Sequence, residues 1–167
     1  AGDSVTTGIH NVALGYAALE TETSGSFSTA VGYGALRGQN TTNNNYNTGV
    51  GYNAGAATTS GINNTLIGGL AGDALTTGSY NIAIGGNALG SEDEHGANTA
   101  VGYRALAQQN AGADANNTAV GHQAGTQVTT GIFNNLLGSQ AGDALTTGTR
   151  NVAIGYNALG TEDTRCH

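Results

Sequence analysis

The sequence predicts an all-β fold, a parallel β-solenoid (a left-handed β-roll) built from a short coil that recurs nine times. Three observations lead there. First, a block of the form Asn-x-Ala-(Val/Ile/Leu)-Gly-x-x-Ala-(Leu/Gly) recurs nine times along the chain. Second, Gly (29), Ala (26), Thr (23) and Asn (19) supply 97 of the 167 residues, whereas Val, Ile, Leu and Phe number only 29. That is too little aliphatic volume for an ordinary core. Third, Pro, which is enriched in disordered linkers, is absent. A repeat reconciles these facts, because each unit buries its face only against its neighbours.

The blocks begin at Asn11, Ser28, Asn47, Asn64, Asn81, Asn98, Asn117, Asn134 and Asn151. Their glycines are Gly15, Gly32, Gly51, Gly68, Gly85, Gly102, Gly121, Gly138 and Gly155, so each coil has a length of either 17 or 19. Val, Ile or Leu always precedes the glycine, and Ala always follows three positions later. Such a unit is too short for a helical pair, and its Gly, Asn and Thr oppose helix. Each block is therefore expected to open with a short strand. In Asn151-Val152-Ala153-Ile154-Gly155, alternation places Val152 and Ile154 on one face and Ala153 on the other. A second strand is expected on the far side of each coil, around Ala158-Leu159 or around Asp143-Ala144-Leu145 of the preceding coil. Thr-Thr-Gly and the Asn-rich pieces supply turns, where Gly and Asn tolerate positive φ.

A longer period lies above the first, in which position n resembles position n + 70. Ala1-Gly2-Asp3, Ala71-Gly72-Asp73 and Ala141-Gly142-Asp143 each open a segment that ends in Thr-Thr-Gly. The single repeat domain 1–167 thus divides into modules 1–70 and 71–140 and a partial module 141–167. Ala, Gly and one aliphatic residue per strand suffice for the interior of so thin a roll. Nine coils at the sheet spacing give a rod about 40 Å long. A rod of this kind needs capped ends or neighbours, and oligomerisation along its length is the expected remedy.

Charge narrows the partners. Four basic against eleven acidic residues give a net charge of −7. Arg37, Arg104, Arg150 and Arg165 are scattered, so neither nucleic acid nor an anionic membrane surface is an expected partner. No apolar run reaches the length of a membrane span, and no signal peptide is visible. The start at Ala1 and the lack of Met point to a processed or excised fragment. Cys166 is expected to be an exposed terminal thiol, with an interchain bridge as the alternative.

Val12-Ala13-Leu14-Gly15, Ile82-Ala83-Ile84-Gly85 and Val152-Ala153-Ile154-Gly155, each led by Asn, resemble the Asn-Ser-Val-Ala-Ile-Gly repeat of trimeric autotransporter adhesin heads. The segment Asn98-Thr-Ala-Val-Gly-Tyr103-Arg-Ala-Leu106 is also similar to repeats of bacteriophage tail fibres. The resemblance covers essentially the whole chain, although the commonest head repeat is shorter than the coils of this sequence, whose turns are longer. It implies a left-handed roll, a homotrimer, and an extracellular place on a bacterial surface or a virion fibre. It also implies attachment to a host surface protein or glycan.

The candidate recognition residues are Tyr16, Tyr33, Tyr52, Tyr103, His122 and Tyr156, which share the position after the repeat glycine. Aligned aromatics serve either as packing at a turn or chain–chain interface, or as a platform for sugar or protein. The recurring acids Asp3, Asp73, Asp143, Glu22, Glu92 and Glu162 are expected to be solvated surface, a weak calcium contact being the alternative. Equivalent acids lie four coils apart, too far to work as a pair. His10, His95, His122 and His167 occupy different repeat positions and are not expected to cluster on a metal. No nucleophile elbow or phosphate loop occurs in a supporting context, and no cofactor is expected. Sequons at Asn40, Asn63 and Asn116 are explained by composition. The chain therefore reads as a non-enzymatic adhesive fibre segment. Two alternatives remain open: an ice- or crystal-binding solenoid using Thr29, Thr48, Thr65, Thr99 and Thr118, and a glycan-processing fibre whose carboxylates meet across chains.

Overall fold

The computed structural model describes residues 1–160. Nine strands of three residues each occur in it, and they form one parallel sheet in sequence order. They are β1 (Val12–Leu14), β2 (Thr29–Val31), β3 (Thr48–Val50), β4 (Thr65–Ile67), β5 (Ile82–Ile84), β6 (Thr99–Val101), β7 (Thr118–Val120), β8 (Asn135–Leu137) and β9 (Val152–Ile154). Consecutive strands pair in register, Val12 on Thr29 and Leu14 on Val31, then Thr29 on Thr48 and Val31 on Val50. The chain is thus an all-β parallel solenoid of about eight turns. No helix among the described residues is long and apolar enough to cross a membrane.

The repeat glycine ends each strand for two reasons. Gly15 and Gly51 have φ of 122° and 135°, a region that L side chains rarely adopt. A Cβ on Gly15 would lie 2.5 Å from the Gly32 carbonyl oxygen of the next coil, and one on Gly51 would lie 2.6 Å from that of Gly68. The glycines form a stacked column with no room between floors.

The far wall differs from the expectation of a second strand. Leu19, Leu36, Leu89, Leu106 and Leu159 have φ between 48° and 54°, which is left-handed and incompatible with a strand. Asp143 and Ala144 likewise lie in a turn, and Leu145 follows it outside any strand. Coil-to-coil bonding survives without β conformation. The Leu19 amide donates to the Ala35 carbonyl (3.1 Å), Leu36 to Ala54 (2.9 Å) and Leu106 to Ala124 (3.0 Å). Stacking identical turns satisfies the peptide groups as well as a ladder would.

Alternation within the strands also resolves which face is inside. Ala30, Ala83, Ala100, Ala119 and Ala153 point into the roll, while the flanking Val, Ile and Thr point out. The aliphatic residue of most strands is therefore external, and the interior volume comes from elsewhere. Ala18, Ala35, Ala54, Ala71, Ala88, Ala105, Ala124 and Ala141 are fully buried, as are Leu19, Leu36, Leu89 and Leu106 on the far wall. Where β4 and β8 turn Leu66 and Leu136 inward instead, the far wall supplies Gly72 and Gly142. A Cβ on Gly72 would be 2.8 Å from both Leu66 Cδ2 and Leu75 Cδ1. In the coils of β3 and β7 neither wall carries leucine, and the space at Gly55 and Gly125 is taken by Leu36 and Leu66 and by Leu106 and Leu136 of the neighbouring coils, so close packing is kept between layers.

The leading Asn of the block is not a turn residue but a buried ladder. Asn47 Oδ1 accepts from the Asn64 amide (2.9 Å), Asn64 Oδ1 from Asn81 (2.9 Å), and Asn117 Oδ1 from Asn134 (2.7 Å). Their Nδ2 groups donate to Gly61, Gly78 and Gly131 carbonyls at 2.7–2.8 Å. Each side-chain amide ties two coils together and satisfies buried backbone groups.

Candidate interaction surface

The outer face of the sheet carries two columns of side chains. One is Leu14, Val31, Val50, Ile67, Ile84, Val101, Val120, Leu137 and Ile154, an unbroken aliphatic line. The other is Val12, Thr29, Thr48, Thr65, Ile82, Thr99, Thr118, Asn135 and Val152. None of these side chains is charged, and none is fully buried. With β-sheet spacings the face is about 38 Å long and about 10 Å wide. That is the size of the largest apolar patch on a typical monomer, a patch that often has a function.

The candidate tyrosines border this face. Tyr16, Tyr33 and Tyr52 stack in series with centroids 5.2 and 5.5 Å apart, and Tyr103 stacks on His122 at 5.6 Å. Gly69 and Gly86 interrupt the column between these groups, and Ser139 separates Tyr156 from His122. His122 is therefore an aromatic member of the tyrosine column. Tyr16, Tyr33, Tyr52, Tyr103 and Tyr156 are all exposed.

A second aromatic column, not picked out in the sequence, borders the opposite side. His10 stacks on Phe27 (5.0 Å), and Phe27 on Tyr46 (5.2 Å). Tyr80 and Phe133 hold the same position, and the Arg150 guanidinium lies 5.9 Å from the Phe133 ring centroid, a cation–π contact. All have φ near 50–63°. The signal was present in the sequence as the residue immediately before each block. It is obscured because Asn63, Ala97 and Asn116 share the column.

The recurring acids do not behave alike. Asp3 is exposed, and Asp73 and Asp143 are half-buried, four coils apart. Burial pushes the Asp73 carboxyl above its ordinary value, against a lowering contribution from its own backbone amide. Glu22 and Glu92, expected on the surface, are fully buried. Glu22 is held by amide donors: Thr23, Ser24 and Gly25 on Oε1 (3.0, 3.2 and 2.7 Å), and Gln39 and Asn45 side chains on Oε2 (3.0 and 3.1 Å). Such a full shell permits a carboxylate to leave water. Burial pushes the Glu92 carboxyl upward; the amides of His95 and Ala111 and the His95 charge oppose this, and Asp93 adds to it. Glu162 and Cys166 lie outside the described residues. Comparison with protein-family models, with curated proteins and with solved structures found no match to this chain.

Proposed function

We propose that the chain is a non-enzymatic segment of an extracellular fibre, assembled as a parallel homotrimer and presenting its outer turns to a host surface protein or glycan. The observation that carries this reading is the uncharged aliphatic line along the sheet. Hydrophobic side chains in water on nine successive strands call for a covering surface. Parallel cyclic symmetry lets each coil repeat one contact at one height. The two aromatic columns then form the rims, where Tyr combines apolar area with a wet hydroxyl. The resemblance to adhesin heads and tail-fibre repeats supports both the trimer and the extracellular setting.

Light scattering should return three times the 16.5 kDa chain mass. Replacing Ile84 and Val101 together by Asp, on adjacent strands of the aliphatic line, should yield monomers. A wild-type monomer at micromolar concentration, stable to heating, refutes the assembly. Binding to a glycan or matrix-protein array, reduced by Tyr33→Ala, tests the attachment role.

One observation favours a second reading. Thr29, Thr48 and Thr65 lie in register on adjacent strands, as do Thr99 and Thr118, so their hydroxyls form two short regular arrays of the kind that an ice- or crystal-binding face requires. Ile82 and Asn135 interrupt that array, so the fibre reading is preferred. Thermal hysteresis above that of a control protein reverses the order.

A further inference from the structure

The turn Glu92–His95 brings a carboxylate, a second carboxylate and an imidazole together at one edge of the roll. One ligand-capable atom from each of Glu92, Asp93 and His95 lies within 4.8 Å of the others. Proximity of acids alone would mean little, but two unpartnered buried atoms point to a missing ligand. Glu92 is fully buried, yet its Oε2 accepts no hydrogen bond. The buried Nδ1 of His95 is also without a hydrogen-bond partner. It sits 3.6 Å from Glu92 Oε1, too far for a good hydrogen bond. Two ligands on one tetrahedral ion, at bond lengths of about 2.0–2.1 Å, stand roughly 3.3 Å apart. The pair is therefore spaced more like co-ligands than like a donor and its acceptor.

We propose that Glu92, Asp93 and His95 form a binding site for a divalent transition metal ion of the zinc type. An imidazole nitrogen with two carboxylate oxygens suits zinc better than calcium or magnesium, which select oxygen. The surrounding charge agrees: Glu94 adjoins the site, and Asp114 accepts from the Gly96 amide close by (2.9 Å). A cation there would compensate a buried carboxylate that is otherwise short of donors. The corresponding turn of the first module has Thr23 and Gly25 in place of Asp93 and His95, and so has no such donor set. The ion would fix the segment 92–95 of the second module and stabilise the folded chain by mass action.

The test is calorimetric titration of the full chain with zinc chloride. Cys166→Ser and His167→Gln are introduced first, to keep the terminal thiol and imidazole out of the titration. Saturable binding of one equivalent per chain is expected. Asp93→Thr with His95→Gly, which restores the residues of the first module, should remove that equivalent or weaken it at least about tenfold. Should circular dichroism show that the double variant does not fold, His95→Ala alone decides by the same criterion. No zinc binding by the parent at millimolar metal, or equal affinity and stoichiometry in the variant, overturns the proposal. Preference for calcium over zinc overturns it as well, because the imidazole would then have no role.

Discussion

Glu22 and Glu92 occupy the same turn of successive modules, and both are fully buried. Their surroundings differ. Glu22 also accepts from the Thr41 amide (3.3 Å) of the next coil, which completes its shell. Glu92 accepts from the His95 amide (3.2 Å), and its other oxygen is unpartnered. Asn45, a donor to Glu22, is replaced by Ala115, and the Gln109 amide nitrogen that corresponds to the Gln39 donor has no partner. The exchange is coupled to Gly25 and His95. A Cβ on Gly25 would overlap the Asn45 amide nitrogen and lie 2.5 Å from Glu22 Oε2. Only where Asn45 becomes Ala115 is there space for the side chain of His95. One backbone therefore supports two chemistries: a closed amide shell in the first module and an open, charged turn in the second.

The largest expected effect comes from removing the carboxylates. Glu22→Ala strands four backbone amides and two side-chain amides, so it should cost about 3 kcal/mol or more. Glu92→Ala in chelator-containing buffer should cost no more than about 1 kcal/mol, since it leaves only the His95 and Ala111 amides bare and relieves an under-compensated charge. Chemical denaturation of both variants checks the difference, and equal losses would mean that the two shells are equivalent.

An intermediate effect is expected at the coupled position. Gly25→Ala forces a Cβ into occupied space and should cost about 1–3 kcal/mol. His95→Ala keeps a Cβ where one already stands, and with metal excluded it should change stability by less than about 0.5 kcal/mol. Thermal melts of the two variants sharpen the comparison. A tolerant Gly25 would show that the Asn45 amide moves aside freely.

The smallest effect concerns pH. The Glu92 carboxyl is raised above its unfolded value by burial, so between those two values the folded state holds more protons than the unfolded state. Stability is therefore favoured below the unfolded value, near 4.5, and this contribution is lost as pH rises through the folded one. In chelator, Glu92→Gln should be as stable as the parent at about pH 4 and more stable at about pH 7. Parallel pH–stability profiles for the two proteins would show that Glu92 carries no such penalty.

The column logic explains how much could be read in advance. Parallel in-register stacking forces equivalent residues into one line, so Gly15 to Gly155 and Val12 to Val152 located every strand and its end. The tyrosine column was readable for the same reason, because Tyr16, Tyr33 and Tyr52 share one repeat position. The aromatic column of His10, Phe27 and Tyr46 was not, since its members change chemical type between coils. Nor was the conformation of the far wall. Ala18-Leu19 has the composition of a short strand, and nothing local announces that Leu19 takes a φ of 48°.

By itself the sequence determined the period, the strand positions, the four-coil module and the parallel all-β solenoid. It could do so because repetition is a one-dimensional property and each coil rests on a near copy of itself. Only the tertiary structure decided which strand face turns inward. Both faces are uncharged, and the choice depends on volume: Ala100 fits between two thin walls, where Val101 would not. Only the tertiary structure, too, placed Glu22 and Glu92 inside. A carboxylate beside a turn is normally solvated, and its burial rests on donors such as Gln39 and Asn45, 17 and 23 residues away, which meet it when the next coil closes.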